Sequence, residues 1–445
     1  MTGEDITWAD NLVDGHRTLP VVLADLSSAT TAIHVAIFLF FDDPIGEQIE
    51  EILEAKARAG VSVRVLLNVE KTKIGDPFST GEERMMKEDP TFHRDPTAVT
   101  PLLHRLREAG VEVLDTELDY HKLVLTGEPE IDTIAKEIGE TVEANALHID
   151  HRKIVTIDGR AAYCGSANFG AQYLHHHAFD PARPAKDEAR ARREAHEDEP
   201  WWKWHDGFVR FEGGSVIYEL DRAFRERWLL GGGKRFDSLE PQPPSASPRG
   251  VRTLAAKVVK NEPSSRKNDV RLAFCERIAA AEKTIFIENP YVYHPAIVDA
   301  LVHAKRRRSG LRITLILPAR EWNDNEFSHD AQQYHYAAYV DAGIEVYEYQ
   351  NHFTHLKLAT FDGLWSIIGS ANLNYRSMED DKDFEANVVV FGKSFAARID
   401  REVRDHDLRF SKRITSAEVH GSSLHSVRIR TRDPRTLLGL ATREL

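Results

Sequence analysis

HRKIVTIDGRAAYCGSAN, residues 151–168, and HLKLATFDGLWSIIGSAN, residues 355–372, agree at His, Lys, Asp, Gly, Gly, Ser, Ala and Asn, and every matched residue is displaced by the same 204 positions. One constant offset over a whole segment is the mark of an internal repeat, so the chain is read as two copies of one unit. Within each copy the apolar residues after His-x-Lys, namely Ile154, Val155 and Ile157 against Leu358, Ala359 and Phe361, read as a buried strand.

The repeat extends in both directions. Upstream, AKARAGVSVRVLLN (from Ala55) resembles AKRRRSGLRITLILP (from Ala304), in each case a charged helix end, a glycine and then a Val, Leu and Ile strand. Each is preceded by an amphipathic helix opened by proline, at Pro44 and Pro295, and before those by the strands IHVAIFLFF (from Ile33) and KTIFIENPYVY (from Lys283). The offset there is 250, which places a long insertion near 70–147 of the first copy. Downstream, HDGFVRFEGG aligns with FEANVVVFGK at an offset of 179, with Asp206 opposite Glu385, which implies a second insertion over 175–200. That stretch is charged and poor in large apolar residues, as a surface loop or short exposed helix is. SLEPQPPSASPRG, 238–250, has linker composition and divides an N-terminal half (1–237) from a C-terminal half (251–445). Strands alternating with helices in both halves predict an α/β sandwich.

Composition narrows the function. The 445 residues carry a formal charge of -13, which argues against a protein that coats nucleic acid, since such binding depends on many Lys and Arg contacts to phosphates. The best apolar run, Ala32 to Phe41, is too short for a membrane span, contains His34 and ends at Asp42 and Asp43. With no signal-peptide pattern in the first thirty residues, the expectation is a cytoplasmic protein, peripheral to the membrane at most. Two cysteines, Cys164 and Cys275, outside any C-x-x-C pair, make neither a disulfide framework nor a zinc site.

The chemistry sits in the repeated segment. His151 and Lys153 are two apart, as are His355 and Lys357, so on a strand each pair faces one side. Ser166 and Asn168, and Ser370 and Asn372, add hydroxyl and amide groups. Ammonium, hydroxyl and amide together describe a phosphate-binding site, and imidazole adds a nucleophile or a general acid. Pairing the copies about a pseudo-two-fold axis puts two histidines on opposite sides of one phosphorus, with ring nitrogens within roughly 10 Å of each other, the arrangement for in-line displacement. No metal or other cofactor is required, because Lys153, Lys357, Asn168 and Asn372 supply the positive and donor groups a metal would otherwise provide.

Both segments resemble the HKD motif of the phospholipase D superfamily, the downstream Gly-Ser-x-Asn included. FDDPIGEQI, GSANLNYRS and FEANVVV are most similar to its cardiolipin synthase and bacterial phospholipase D branch, and the similarity runs from about Asp14 to about Asp407. The resemblance implies two homologous α/β sandwich halves related by a pseudo-two-fold axis, with the active site at their interface. It implies a phosphodiesterase or phosphatidyltransferase acting on glycerophospholipids through a phosphohistidine, by hydrolysis or by cardiolipin-synthase-like transfer. Nucleic acid is not expected as a partner; an HKD nuclease is the alternative reading. By position, Glu385 and Asp206 are the acidic residues with which the family holds the histidine rings, with Asp180 or Glu199 as substitutes for Asp206. His151 is expected as nucleophile and His355 as general acid, although symmetry leaves the reverse open. Asp158 and Asp362 belong to the motif but precede Gly and read as turn residues. The chain departs from that branch in lacking membrane-spanning segments and in the acidic MEDDKD after Ser377.

Other features are less specific. His175, His176 and His177 read as a surface loop, since three adjacent residues cannot all reach one ion. Trp201, Trp202 and Trp204 fit either a lipid interface or packing beneath the insertion. Lys305 to Arg308 reads as a solvated helix end, favoured by the helix dipole, and Arg428, Arg430 and Arg432 alternate like an edge strand.

Overall fold

The computed structural model describes residues 7–69, 99–116, 149–173, 203–263, 268–350, 352–380 and 382–421. The first half runs β1 (Trp8–Val13), α1 (Gly15–Ser27), β2 (Ala32–Ala36), α2 (Pro44–Arg58), β3 (Ser62–Leu67), α3 (Val99–Glu108), β4 (Glu112–Asp115), β5 (Ile154–Ile157), β6 (Ala161–Gly165), β7 (Gly207–Glu212), α4 (Ser215–Leu230) and β8 (Val251–Arg252). The second runs β9 (Ala255–Asn261), α5 (Asp269–Ala280), β10 (Thr284–Glu288), α6 (Pro295–Arg307), β11 (Arg312–Pro318), α7 (Glu326–Ala342), β12 (Glu345–Tyr349), β13 (Leu358–Phe361), β14 (Trp365–Gly369), α8 (Tyr375–Met378), β15 (Glu385–Phe391), α9 (Lys393–Ile399) and β16 (Ser411–Arg413).

Among the described residues these strands form two eight-stranded sheets, β4-β3-β2-β5-β6-β7-β1-β8 and β16-β12-β11-β10-β13-β14-β15-β9. Seven positions of one order repeat in the other, with β2, β3 and β4 parallel like β10, β11 and β12, and the remaining pairs antiparallel. The repeat seen in the sequence is therefore a repeat of topology. Each sheet is covered outside by its own helices: Leu26, Ile49 and Leu106 pack on Val35 and Val65, and Phe274, Leu301 and Tyr339 on Ile287 and Leu315. Between the sheets one apolar layer is shared by both halves. Val216, Leu220 and Phe224 of α4 and Phe395 and Ile399 of α9 meet Ile154 and Val209 from the first sheet and Leu358 and Val388 from the second. Each of these large side chains contributes roughly 1.5–3 kcal/mol by leaving water, which holds the halves together as one body. A threonine common to both motif strands ties each to this layer, Thr156 donating to Asp221 (2.8 Å) and Thr360 to Asp400 (2.6 Å).

Two sequence expectations need correcting. The strand from Ile33 ends at Ala36 rather than continuing to Phe41. Beyond it, the Leu39 amide is taken by the Asn168 side chain and the Phe41 amide by the Phe169 carbonyl, so the chain leaves the sheet and carries Phe38 over the site. The insertion near 70–147 also contains repeated structure, since α3 and β4 stand where α7 and β12 stand in the second half. The linker 238–250 lies along the first half, with the Gln242 amide on the Gly159 carbonyl (2.8 Å) and that of Leu239 on Asp221 (2.6 Å).

Asp158 and Asp362 occupy left-handed turns, φ 53° and 55°. The Asp158 carboxylate accepts the amides of Thr30, Thr31 and Ala32 at 2.8–2.9 Å, and Asp362 those of Glu282, Lys283 and Thr284 at 2.7–2.9 Å. Each thereby ties the motif turn to the start of a neighbouring strand. Asp158→Ala and Asp362→Ala are expected to destabilise the protein by about 1–3 kcal/mol while leaving kcat of the folded enzyme within threefold. A loss of more than a hundredfold at unchanged melting temperature would make these aspartates participants in the chemistry.

Candidate active site

His151 and His355 lie on the extended segments just ahead of β5 and β13, and each segment pairs with the other half. The His151 amide donates to the Phe384 carbonyl (3.0 Å), and the His355 amide to the His205 carbonyl (2.8 Å). This brings the acid of each half onto the histidine of the other. His151 Nδ1 lies 3.0 Å from Glu385 Oε1, and His355 Nδ1 lies 2.6 Å from Asp206 Oδ2. Both carboxylates are fully buried. A carboxylate on Nδ1 fixes the tautomer with the proton there and leaves Nε2 to act.

The lysines are buried beside the rings. Lys153 Nζ donates to the His151 carbonyl (2.8 Å) and stands 5.1 Å from the Phe38 ring. Lys357 Nζ donates to the His355 carbonyl (3.0 Å) and lies 2.7 Å from His355 Nε2. His151 Nε2, in contrast, has no hydrogen-bond partner among the described residues, and the His151 side chain is 14% exposed against 8% for His355. Aromatic rings wall the site. Phe38 meets His151 edge-on at 5.3 Å, and Trp204, Phe353 and Tyr173 surround His355 at 4.9, 5.6 and 6.4 Å.

Burial and neighbouring ammonium groups shape the proton affinities. Burial and then Lys153 hold His151 below the usual imidazole value, and burial, Lys357 and Lys153 hold His355 well below it. Burial lowers Lys153 to about 7 and Lys357 to about 8, and raises Asp206 to about 6. Burial acts against ionisation of Glu385 too, but His151 and Lys153 outweigh it and keep the carboxyl below its ordinary value. The free site thus holds neutral imidazoles, ionised acids and two ammonium groups poised to lose their protons. The expected profile of kcat/KM, which reports the free enzyme, is a bell. It rises as Asp206 ionises through about 6 and falls as Lys153 and Lys357 deprotonate through about 7 and 8. An assay with a short-chain soluble phosphodiester over a wide pH range tests this; a flat profile to pH 10 would mean that neither ammonium is needed.

Two of the residues expected to hold phosphate have carboxylate partners here. Ser166 Oγ donates to Asp206 and Ser370 Oγ to Glu385, so the only proton of each hydroxyl is directed at a carboxylate and not at a substrate. Both hydroxyls fix the acids that hold the histidines. Asn168 Nδ2 donates to Tyr173 Oη (2.7 Å) while its Oδ1 accepts the Leu39 amide (3.1 Å). The Asn372 backbone amide donates to Ser377 Oγ (3.1 Å), and its side-chain oxygen is buried without a hydrogen-bond partner among the described residues. Ser377, Tyr173 and Trp204 belong to the site without having been singled out for it. Ser377 Oγ donates to Glu385 Oε1 (2.5 Å), and its only sequence signal is its place in GSANLNYRS. Asp180, Glu199, His175, His176, His177, Trp201, Trp202 and the arginines at 428, 430 and 432 lie outside the described residues. Lys305 ties its helix to the turn that follows, donating to the carbonyls of Ser309 and Leu311 (2.9 and 2.7 Å).

Beside the site a small, partly open cleft runs between α1, α2 and the segment after β6. Leu19, Val22, Ile45, Ile49 and Phe169 line it, together with Asn168 and Asp206. Among the described residues no helix is long and apolar enough to cross a membrane.

The family model described as cardiolipin synthase, PLD-like domain, matches residues 22–178 and 274–406. Among curated relatives, cardiolipin synthase 1 of Staphylococcus epidermidis is 25% identical over 410 residues, 91% of this chain and 69% of that protein. Cardiolipin synthase 2 of Bacillus cereus is 24% identical over 428 residues, 96% of this chain and 68% of that protein. The chain thus spans about two thirds of the length of these relatives. Among solved structures, the phosphatidylserine synthase of Haemophilus influenzae Rd KW20 superposes with a TM-score of 0.58 at 14% identity, covering 98% of this chain and 92% of that one. That likeness is one of fold.

Proposed function

This chain belongs to the cardiolipin synthase, PLD-like domain family, and from that premise we propose that it transfers the phosphatidyl group of a glycerophospholipid to an alcohol or to water through a phosphohistidine. The observation that carries the reading is the exchange of acids between the halves: two histidines, each held by the other half's carboxylate, with a buried ammonium group beside each. Lys153 and Lys357 draw in the phosphodiester, and Lys153 neutralises the charge that develops on it while the Lys357 proton passes through His355. His151 Nε2, the open ring nitrogen, attacks phosphorus. The P–N bond forms as the P–O bond to the leaving alcohol breaks, and His355 Nε2 hands that oxygen a proton. Lys357, 2.7 Å from His355 Nε2, is the nearest donor of that proton, and the negative charge of a bound phosphodiester favours its residence there. In the second step His355 Nε2 takes the proton of the acceptor hydroxyl, whose oxygen displaces His151 from phosphorus. Asp206 and Glu385 keep both rings in the tautomer that this sequence needs.

The cleft beside Asn168 and Asp206 supports a lipid over a nucleic-acid ester, because its mostly apolar lining includes no lysine or arginine to track phosphates. The formal charge of -13 points the same way. A phospholipid substrate brings the protein to a membrane surface. The decisive assay incubates the protein with vesicles of mixed bacterial phospholipids, with and without glycerol, and identifies products by mass spectrometry. Phosphatidic acid or a new phosphatidyl alcohol is the expected outcome, and the ratio of the two names the acceptor. Intact lipid beside cleaved oligonucleotide under the same conditions would replace this reading with the nuclease one.

A further inference from the structure

Next to the site lies a second buried cluster with no part in the chemistry above. His205 is fully buried, with Nδ1 2.9 Å from Asp14 Oδ1 and Nε2 3.1 Å from Asp407 Oδ2. Glu288 Oε1 lies 3.7 Å from Nε2 and accepts the Thr354 hydroxyl (2.6 Å). The nearest ligand-type atoms of His205, Glu288 and Asp407 fall within 4.8 Å of one another. Both ring nitrogens already face carboxylates, so the cation of this cluster is the imidazolium itself. Burial pushes His205 towards neutrality, but Asp14 and Asp407 outweigh it and hold its proton affinity well above the ordinary value.

We propose that His205, clasped between Asp14 and Asp407, is the positioning residue that seats Asp206 on His355 and so equips His355, rather than His151, to handle the proton. Three observations carry this. His205 precedes Asp206 in the chain, and its backbone is paired with the His355 segment on both sides, its amide on the Phe353 carbonyl (2.9 Å) and its carbonyl under the His355 amide (2.8 Å). Asp14 binds the same pair of residues: its carboxylate accepts both His205 Nδ1 and the Asp206 amide (3.1 Å), and its own amide donates to the Asp206 carbonyl (2.6 Å). It does so from φ 62°, a conformation that a non-glycine residue seldom adopts and that persists only where its surroundings enforce it.

The third observation is that the pseudo-symmetry fails here. At the place of His205 the other half has Phe384, at that of Thr354 it has Asp150, and at that of Glu288 it has Ala36, since Ala36 faces Ile154 as Glu288 faces Leu358. Opposite Glu385 stands Asn261 where Asp14 stands beside Asp206, and Arg152 and Arg227 lie over the Phe384 ring at 5.3 and 5.1 Å. Glu385 is thus backed by an apolar ring and Asp206 by an ionic clasp that draws Asp14 and Asp407 from opposite ends of the repeat. The two histidines are alike in having a carboxylate on Nδ1 and unlike in what holds that carboxylate.

This inference rests on the assignment of His355 as general acid, and His355→Ala serves as its benchmark. His205→Gln and Asp407→Asn are compared with it on a phospholipid, whose leaving alcohol needs a proton, and on a nitrophenyl phosphodiester, whose leaving group does not. Both variants are expected to lose about 10–100-fold in phospholipid turnover while keeping the nitrophenol burst within threefold of wild type, the pattern of His355→Ala in milder form. A purely structural role would reduce both reactions together. If His205→Gln does not fold, Asp407→Asn decides, because asparagine keeps an acceptor on Nε2 at the same place. Equal losses on the two substrates, or no loss, would overturn the proposal while His355→Ala still shows selectivity. A His355→Ala enzyme with no selectivity would remove the role assignment and the proposal with it.

Discussion

His151→Ala is expected to abolish turnover of every phosphodiester, by on the order of 10⁵-fold, and to give no burst even with a nitrophenyl ester. His355→Ala is expected to lose a comparable factor on phospholipid but to retain the nitrophenol burst. The difference follows from the two rings' surroundings. His151 has Nε2 open, Nδ1 tied to Glu385 and the greater exposure, as a nucleophile requires. His355 is held at both nitrogens, by Asp206 and by Lys357, and so sits beside a proton that it can pass on. General-acid help matters least for a leaving group of low pKa, so only the acid's loss is forgiven by nitrophenol. Rapid-quench or stopped-flow absorbance of nitrophenol measures both variants. A burst in His151→Ala that is missing from His355→Ala would exchange the two roles.

The second large effect falls on the acids. Glu385→Gln and Asp206→Asn keep the size of each side chain but remove the charge that fixes the imidazole tautomer, a change expected to cost about 10³–10⁴-fold in kcat. The losses should differ in kind. Glu385→Gln weakens the nucleophile and slows the burst with any leaving group. Asp206→Asn slows phospholipid turnover and largely spares the burst. Ser166 keeps an acceptor oxygen in Asp206→Asn, whereas Ser370 and Ser377 donate to different oxygens of Glu385, so Glu385→Gln keeps an acceptor for only one of them and its melting temperature is measured beside its activity. A hundredfold loss of burst in Asp206→Asn at unchanged melting temperature would place Asp206 on the nucleophile's side.

Much of the fold is legible because a repeat states it twice. The 204-residue offset between motifs predicts two equivalent sheets, and the proline-opened helices at Pro44 and Pro295 appear where their patterns lie. The counterpart of α7 and β12 in the first half is not legible, because α3 and β4 match them in position and not in residues, so an offset count absorbs them into the insertion. The early end of β2 has a tertiary cause: the Leu39 amide goes to a side chain 129 residues away, which no local pattern reveals. The site divides in the same way. His, Lys and the acids can be read from the motif, but spacing along the chain does not say that each acid serves the other half's histidine. Ser166 and Ser370 read as phosphate ligands from residue type alone. Only packing shows a carboxylate behind each. His205 carries no signal of its own, since a histidine before an aspartate is ordinary until Asp14 and Asp407 are seen on either side of it.

The covalent intermediate tests the central claim most directly. Wild-type protein mixed with a nitrophenyl phosphodiester, quenched in alkali where phosphohistidine survives, and digested for peptide mass spectrometry should carry one phosphoryl adduct, on the peptide containing His151. An adduct on the peptide containing His355, or turnover with no histidine adduct under conditions that give a full burst, would contradict a site in which one half's histidine attacks and the other's manages the proton.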